Sequence, residues 1–134
     1  MSGTSRLVLQ RTGAVLCERL ERAGTWRARL VGLLGRDGLA PGDGLLLDPC
    51  SSVHTFFMRF PIDVAFLDDS GVVVALNHRL RPWRATRLHL RARTTLELPA
   101  GALEAGGVLV GDRLAEDPGP AKNGHPATAP VGTV

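Results

Sequence analysis

The apolar residues of this chain fall mostly in short alternating runs, a pattern typical of β-strands. Residues 6–10 place Leu7 and Leu9 on one face, and residues 14–19 follow after a turn that contains Gly13. Two such runs separated by a short turn predict a β-hairpin near the start of the chain.

One helix is predicted after this hairpin. Thr25 offers a side-chain oxygen at the N-cap position, and apolar residues then recur at helical spacing over residues 26–34. Gly35 or Gly38 would end the helix, since glycine is common at C-terminal caps. The sequence therefore predicts one short amphipathic helix in the N-terminal half.

The rest of the chain predicts strands separated by turns and breaks. Pro61 cannot donate to a strand ladder and marks a break, and residues 68–71 have the composition of a tight turn. Residues 79–93 lack a clear period, so we expect a long loop there, with at most a short strand at 88–90. The predicted strands are residues 45–47, 53–58, 62–67, 72–76, 94–98 and 108–110, with a last segment near 113–114 and one helical turn at 102–105.

Short strands joined by turns, with one early helix, predict a mainly β fold. We expect a compact antiparallel β-sandwich or barrel-like domain over residues 1–115. Residues 116–134 consist largely of Pro, Gly, Ala and Thr. Because this composition can bury little apolar surface, we expect a disordered C-terminal tail that is dispensable for folding.

Composition and charge narrow the function only a little. The chain carries 16 Lys and Arg against 13 Asp and Glu, and the two signs are interleaved. It shows neither a secretory signal pattern nor an apolar run long enough to span a membrane, so we expect a cytoplasmic protein without membrane contact. Cys17 and Cys50 match no metal-ligand spacing.

The stretch from Cys50 to Leu67 sets polar side chains into an apolar run. Each of His54, Thr55 and Arg59 must find a partner or face solvent, because burying an unpaired polar group costs about 2–7 kcal/mol. The same holds for Asp63, which follows Pro61 and could accept hydrogen bonds from local backbone amides. The four phenylalanines, Phe56, Phe57, Phe60 and Phe66, are expected in the core.

These polar groups could also line a cleft for a small ligand. The stiff segment of Arg81, Pro82 and Trp83 would then form a flap, with a partly exposed indole at its tip. Glu97 lies between two leucines and could pair with Arg59 or Arg81. We therefore predict a ligand-binding site, for an anionic compound, that contains His54, Thr55, Arg59, Asp63, Arg81, Trp83 and Glu97.

Several motifs resemble the DUF192 family of small bacterial and archaeal proteins. They are residues 30–36, 44–47, 54–67, 96–101 and 110–112, in this order over about residues 26–114. The resemblance implies a compact, mainly β fold and brings no established activity, because the family is uncharacterised. Some members of the family look exported, but this chain lacks a matching segment.

Other chemistry is less well supported by the sequence. His54, Asp63 and His78 could bind zinc, but their spacing matches no dedicated motif, and we predict neither a metal nor a cofactor. Cys50 or Ser52 beside His54 contains the residue types of a nucleophilic site without a glycine elbow. The six arginines of residues 79–93 could contact nucleic acid, a role that the interleaved acids disfavour. A protein-interaction module is the main alternative to ligand binding.

Overall fold

A computed structural model of the protein describes residues 5–24 and 38–117, and these residues form one β-rich unit. The sheet consists of β1 (Ser5–Leu9), β2 (Val15–Ala23), β3 (Asp43–Leu47), β4 (Ile62–Leu67), β5 (Val73–Leu80), β6 (Thr94–Pro99) and β7 (Leu114–Asp117). A single turn of helix, α1 (Ala102–Ala105), follows β6. In the described part of the chain, no helix is long and apolar enough to cross a membrane.

The seven strands lie in one curled sheet in the order β5-β4-β6-β3-β2-β1-β7, so the mainly β expectation is confirmed. All neighbouring strands are antiparallel except β2 and β3, which pair in parallel from Arg19 opposite Asp43 to Ala23 opposite Leu47. The sheet is therefore mixed rather than wholly antiparallel. A parallel pair requires a long connection between its strands, and residues 24–42 separate β2 from β3 along the chain.

Two apolar clusters cover opposite faces of the sheet. One cluster contains Leu96 and Leu98 of β6 together with Leu103 of α1. The other contains Val53, Met58 and Phe60 from the loop before β4. Because both faces are covered, every residue of β4 is buried. A strand buried on both faces reads as a continuous apolar run, and residues 62–67 show this pattern apart from Asp63.

Several predicted elements are confirmed, and several are wrong. The break at Pro61, the strand that begins at Ile62 and the helical turn at 102–105 all occur. Residues 53–58 form no strand and have only a bridge between His54 and Ala85, because the chain turns back on itself at residue 57. Residues 88–90 and 108–110 are likewise loop and turn, and the last strand begins at Leu114.

The C-terminal boundary also differs from the prediction. β7 continues through Asp117 because its residues pair with β1, from Leu9 opposite Leu114 to Arg6 opposite Asp117. Ordered structure therefore extends beyond residue 115, where we expected the domain to end. The helix predicted after Thr25 and the chain from residue 118 lie outside the described residues.

Candidate functional site

Thr55 joins two loops on one side of the sheet, the side covered by the apolar cluster that contains Val53. The loops are residues 53–60 and 81–86, and Thr55 is fully buried between them. Its backbone N–H donates to the carbonyl oxygen of Arg84 at 2.8 Å. Its hydroxyl donates to the carbonyl oxygen of Arg81 at 2.6 Å and accepts from the N–H of Arg84 at 3.0 Å. These bonds fix the two loops to each other.

Four aromatic side chains gather on these two loops, and we call them the aromatic surface: His54, Phe56, Phe57 and Trp83. The rings of His54 and Phe56 stack at 4.7 Å between centroids, and those of Phe56 and Trp83 stack at 5.9 Å. Phe57 contacts Trp83 at 4.7 Å in a tilted geometry. Trp83 is 56% exposed and Phe57 64% exposed, so this cluster faces solvent.

The exposure of Phe56 and Phe57 contradicts the expectation that all four phenylalanines lie in the core. Phe60 and Phe66 are buried as expected, whereas Phe56 is 38% exposed. The partly exposed indole predicted for Trp83 is present. Local periodicity alone does not distinguish these two pairs of phenylalanines, because the turn that directs Phe57 outward interrupts the strand pattern.

The backbone at the aromatic surface adopts an uncommon conformation at two places. Phe57 has φ of 69° and Trp83 has φ of 63°, both in the left-handed region that large side chains rarely adopt. Such residues cost on the order of 1–3 kcal/mol each and persist where the surroundings hold them. The carbonyl oxygen of Thr55 accepts from the N–H of Trp83 at 3.0 Å and from that of Met58 at 3.2 Å, which holds both turns.

Three arginines belong to the same two loops. Arg59, Arg81 and Arg84 are exposed, and the site predicted from the sequence contains the first two but not Arg84. The guanidinium of Arg84 bends back to the carbonyl oxygen of Trp83 at 3.5 Å. The surface therefore combines exposed rings with positive charge.

Asp63 occupies a structural position, as its place after Pro61 suggested. It is fully buried, and its carboxylate accepts three backbone hydrogen bonds. The N–H of Arg79 donates to Oδ1 at 2.8 Å, and the N–H groups of Gly101 and Leu103 donate to Oδ2 at 3.0 and 2.9 Å. Asp63 thus accepts from backbone amides as expected, but these amides lie 16, 38 and 40 residues away, so the expectation that they are local is wrong. These bonds need no ligand.

Asp63 and Glu97 lie on opposite faces of the sheet. Asp63 stands opposite Leu98, which belongs to the apolar cluster beneath α1. Glu97 is fully buried and stands opposite Val64, which belongs to the cluster on the side of the aromatic surface. The seven predicted site residues therefore do not converge on one cleft, although five of them lie in the two loops.

The geometry gives little support to nucleophilic or metal chemistry. Burial raises the pKa of the Cys17 thiol to about 11, which keeps it protonated. The Cys50 thiol donates to the carbonyl oxygen of Ser52 at 3.1 Å, and Nδ1 of His54 accepts from the N–H of Phe56 at 3.3 Å. Within residues 5–24 and 38–117, no group of three His, Cys, Asp or Glu side chains is placed to bind a metal ion.

Comparison with known proteins supports the resemblance seen in the sequence. The model of the DUF192 family, described as "Uncharacterized ACR", matches residues 7–115. The chain belongs to the DUF192 family. Both loops of the aromatic surface lie inside the matched range, so this surface is part of the DUF192 domain.

Archaeal UPF0127 proteins are among the relatives of this DUF192 chain. One from Pyrococcus furiosus is 47% identical over 64 residues, which are 48% of this chain and 54% of the relative. One from Thermococcus sibiricus is 41% identical over 64 residues, which are 48% of this chain and 41% of the relative. The chain thus matches about half the length of these curated relatives, and their names state no activity.

Two crystal structures share the fold. A protein from Sinorhizobium meliloti, provisionally named a transcription regulator, has a TM-score of 0.68 at 25% identity, with 87% of this chain and 97% of that chain covered. A protein of unknown function from Novosphingobium aromaticivorans has a TM-score of 0.70 at 19% identity, with 84% and 83% covered. The second likeness concerns the fold alone.

Proposed function

We propose that this DUF192 protein is a small-ligand-binding β domain whose aromatic surface binds an anionic compound with a planar ring. The observation that carries the proposal is the exposure of Phe57 and Trp83 on turns with positive φ. Burying large aromatic side chains is among the most favourable contributions to folding. A fold that instead holds two of them outward, at a conformational cost, is explained by a ligand that covers them.

Charge supports an anionic ligand. Arg59, Arg81 and Arg84 are exposed on the same loops as the rings. Guanidinium groups recognise carboxylate and phosphate through paired hydrogen bonds, and they remain charged throughout the physiological pH range. The guanidinium of Arg84 lies at the carbonyl oxygen of Trp83, so a ring that stacks on this indole would bring an attached anionic group close to it.

A protein partner is the main alternative. Exposed Trp and Arg residues are enriched at the energetic centres of protein interfaces, and an aromatic patch is a common sign of such a site. We favour the small ligand because Thr55 fixes the two loops through hydrogen bonds to residues 81, 83 and 84. Such a preorganised surface can bind a small molecule without a large entropic cost.

Tryptophan fluorescence tests the proposal directly. The sequence contains two tryptophans, so Trp26→Phe leaves Trp83 as the only indole. This variant is titrated with four compounds: inorganic phosphate, benzyl alcohol, benzoate and adenosine monophosphate. We expect a saturable change in Trp83 emission with benzoate and adenosine monophosphate, which carry both a ring and an anionic group. Phosphate, which has no ring, and benzyl alcohol, which has no charge, should cause a much weaker change.

Matched arginine variants provide the control in the same background. Arg84→Ala should weaken the response at least several-fold, whereas Arg87→Ala, an exposed arginine later in the sequence, should leave it unchanged. An indole whose emission is already blue-shifted, resists aqueous quenchers and ignores every compound would contradict the proposal. Equal responses to benzyl alcohol and benzoate would contradict the proposal that the ligand is anionic.

A further inference from the structure

A second site is suggested by a cavity at one end of the curled sheet, apart from the aromatic surface. Its volume is about 270 Å³, and none of the four aromatic-surface residues lines it. The lining comes from both outer and central strands and from the turn after β4. It consists of Leu7, Arg22, Leu46, Asp48, Leu67, Asp68, Asp69, Gly71, Arg93, Thr94, Leu114 and Glu116.

The floor of this cavity is apolar. Leu7, Leu46, Leu67 and Leu114 come from four different strands, and each is at most 5% exposed. Openings at the ends of β-barrels that combine an apolar interior with a few polar groups are common ligand sites. At about 30 Å³ for each water, the volume corresponds to roughly nine waters, which suits a compound of only a few non-hydrogen atoms.

The two arginines in the lining are already paired with acids. Arg22 forms an ion pair with Glu116 and lies 3.9 Å from Asp48, and Nε of Arg93 lies 3.2 Å from the same Asp48. An incoming anion would have to displace these carboxylates. Two basic and two acidic groups of the lining therefore offset each other.

Two further carboxylates, Asp68 and Asp69, leave the lining with an excess of negative charge. Oδ1 of Asp68 accepts from the N–H groups of Ser70 and Val72 at 2.8 and 3.0 Å. These bonds lower the pKa of Asp68, with smaller effects of Arg91 and Arg113, so the carboxylate is ionised at neutral pH. Asp69 is exposed beside it in the same turn.

We propose that this cavity binds a small organic cation, an aliphatic amine whose ammonium group contacts Asp68 and Asp69 while its hydrocarbon part rests on the four leucines. Both features are required, since an ammonium group alone gains nothing from the leucine floor. The site is independent of the aromatic surface, so each can exist without the other.

Binding of n-butylammonium, measured by calorimetry on the full chain, tests this assignment. Butyrate has a similar hydrocarbon part with the opposite charge, and ammonium chloride has the charge without the hydrocarbon part. We expect saturable binding of butylammonium, at least about ten-fold tighter than that of either comparison compound. Equal binding of butyrate, or no saturable binding of butylammonium up to about 100 mM, would overturn the proposal.

Charge-removing variants locate the site. In Asp68→Asn the amide oxygen can still accept from the backbone of the turn, so the fold is kept while the charge is lost. The double variant Asp68→Asn/Asp69→Asn should weaken butylammonium binding about ten-fold or more, and Glu18→Gln, an exposed acid on β2, should not change it. Circular dichroism confirms folding of each variant, and unchanged affinity in the folded double variant would overturn the assignment.

Discussion

Replacing Asp63 with alanine removes the acceptor that ties three parts of the fold together. Its carboxylate on β4 binds the backbone N–H of Arg79 near the end of β5 and those of Gly101 and Leu103 around α1. Alanine offers no acceptor at this fully buried position, and a single water in the space left by the carboxylate could accept from only two of the three amides. All three amides would lose the carboxylate at once, and at least one of them would be left without an acceptor.

The expected cost follows from these three bonds. An unsatisfied buried donor costs about 1–3 kcal/mol, and the hydrogen bond to Leu103 is buried while the other two are partly buried. Partly buried amides can recover some hydrogen bonding from water, so we expect a total loss of about 3–5 kcal/mol. Typical domains are stable by only about 5–15 kcal/mol, which makes this loss severe.

Urea unfolding measures the effect. With a slope of about 2 kcal/mol per molar, a loss of 4 kcal/mol would lower the midpoint by about 2 M. Asp63→Asn should be intermediate, because its amide oxygen can keep the bonds to Gly101 and Leu103 while its NH₂ group meets the N–H of Arg79. His54→Ala should cost about 1 kcal/mol or less, since this ring is partly exposed and its stacking on Phe56 is worth about that much.

The comparison of the two residues can refute this reasoning. If His54→Ala lowers the urea midpoint more than Asp63→Ala does, the structural role assigned to Asp63 is wrong. If Asp63→Ala shifts the midpoint by less than about 0.5 M, the three backbone bonds contribute little.

Two further predictions concern stability. Gly71→Ala should lower the urea midpoint more than Gly107→Ala does. Both glycines have positive φ, but only at Gly71 would an added Cβ lie 2.8 Å from a backbone atom, the carbonyl oxygen of Leu114. Equal losses of stability in the two variants would contradict this. Arg11 donates to Asp112 and, with the backbone, lowers the pKa of Asp112 from 3.8 to about 2. The stabilisation of the fold by the Asp112 carboxylate is therefore complete above about pH 4 and is lost as the pH falls through 2. The drop in urea midpoint from about pH 5 to about pH 2 should be smaller in Asp112→Asn than in the wild type. An equal drop in the two proteins would refute this role of Asp112.

The sequence predicted best where local chemistry determines the structure. Pro61 separates the loop from β4 because proline cannot donate to a ladder, and the turn of residues 68–71 forms where its composition indicated. That Asp63 accepts from backbone amides was also predicted, but the amides expected were those beside the strand break. The three observed amides, in residues 79, 101 and 103, are all distant in sequence, and no local pattern indicates them.

The sequence predicted poorly where partners distant along the chain decide the outcome. Residues 53–58 have a strand-like composition, yet Thr55 bonds to residues 81 and 84, which lie 26 and 29 positions away. Those bonds hold the turns that point Phe57 and Trp83 outward, and no local pattern encodes them. The parallel pairing of β2 and β3 is likewise not specified by strand periodicity, which indicates the face of each residue but not the direction of the neighbouring strand.

The separation of Asp63 from the aromatic surface by the sheet has a further consequence. The two loops are held by Thr55, whereas Asp63 holds β5 and α1 from the opposite face. In Trp26→Phe, adding Asp63→Asn should lower the urea midpoint and leave the response of Trp83 to benzoate unchanged at temperatures where the protein is folded. Thr55→Val should weaken the response of Trp83 to benzoate more than Asp63→Asn does. The reason is that valine keeps the backbone bonds of residue 55 but removes the hydroxyl that contacts residues 81 and 84. If Asp63→Asn abolished the response in folded protein, the two faces would be coupled and the assignment of separate roles would be wrong.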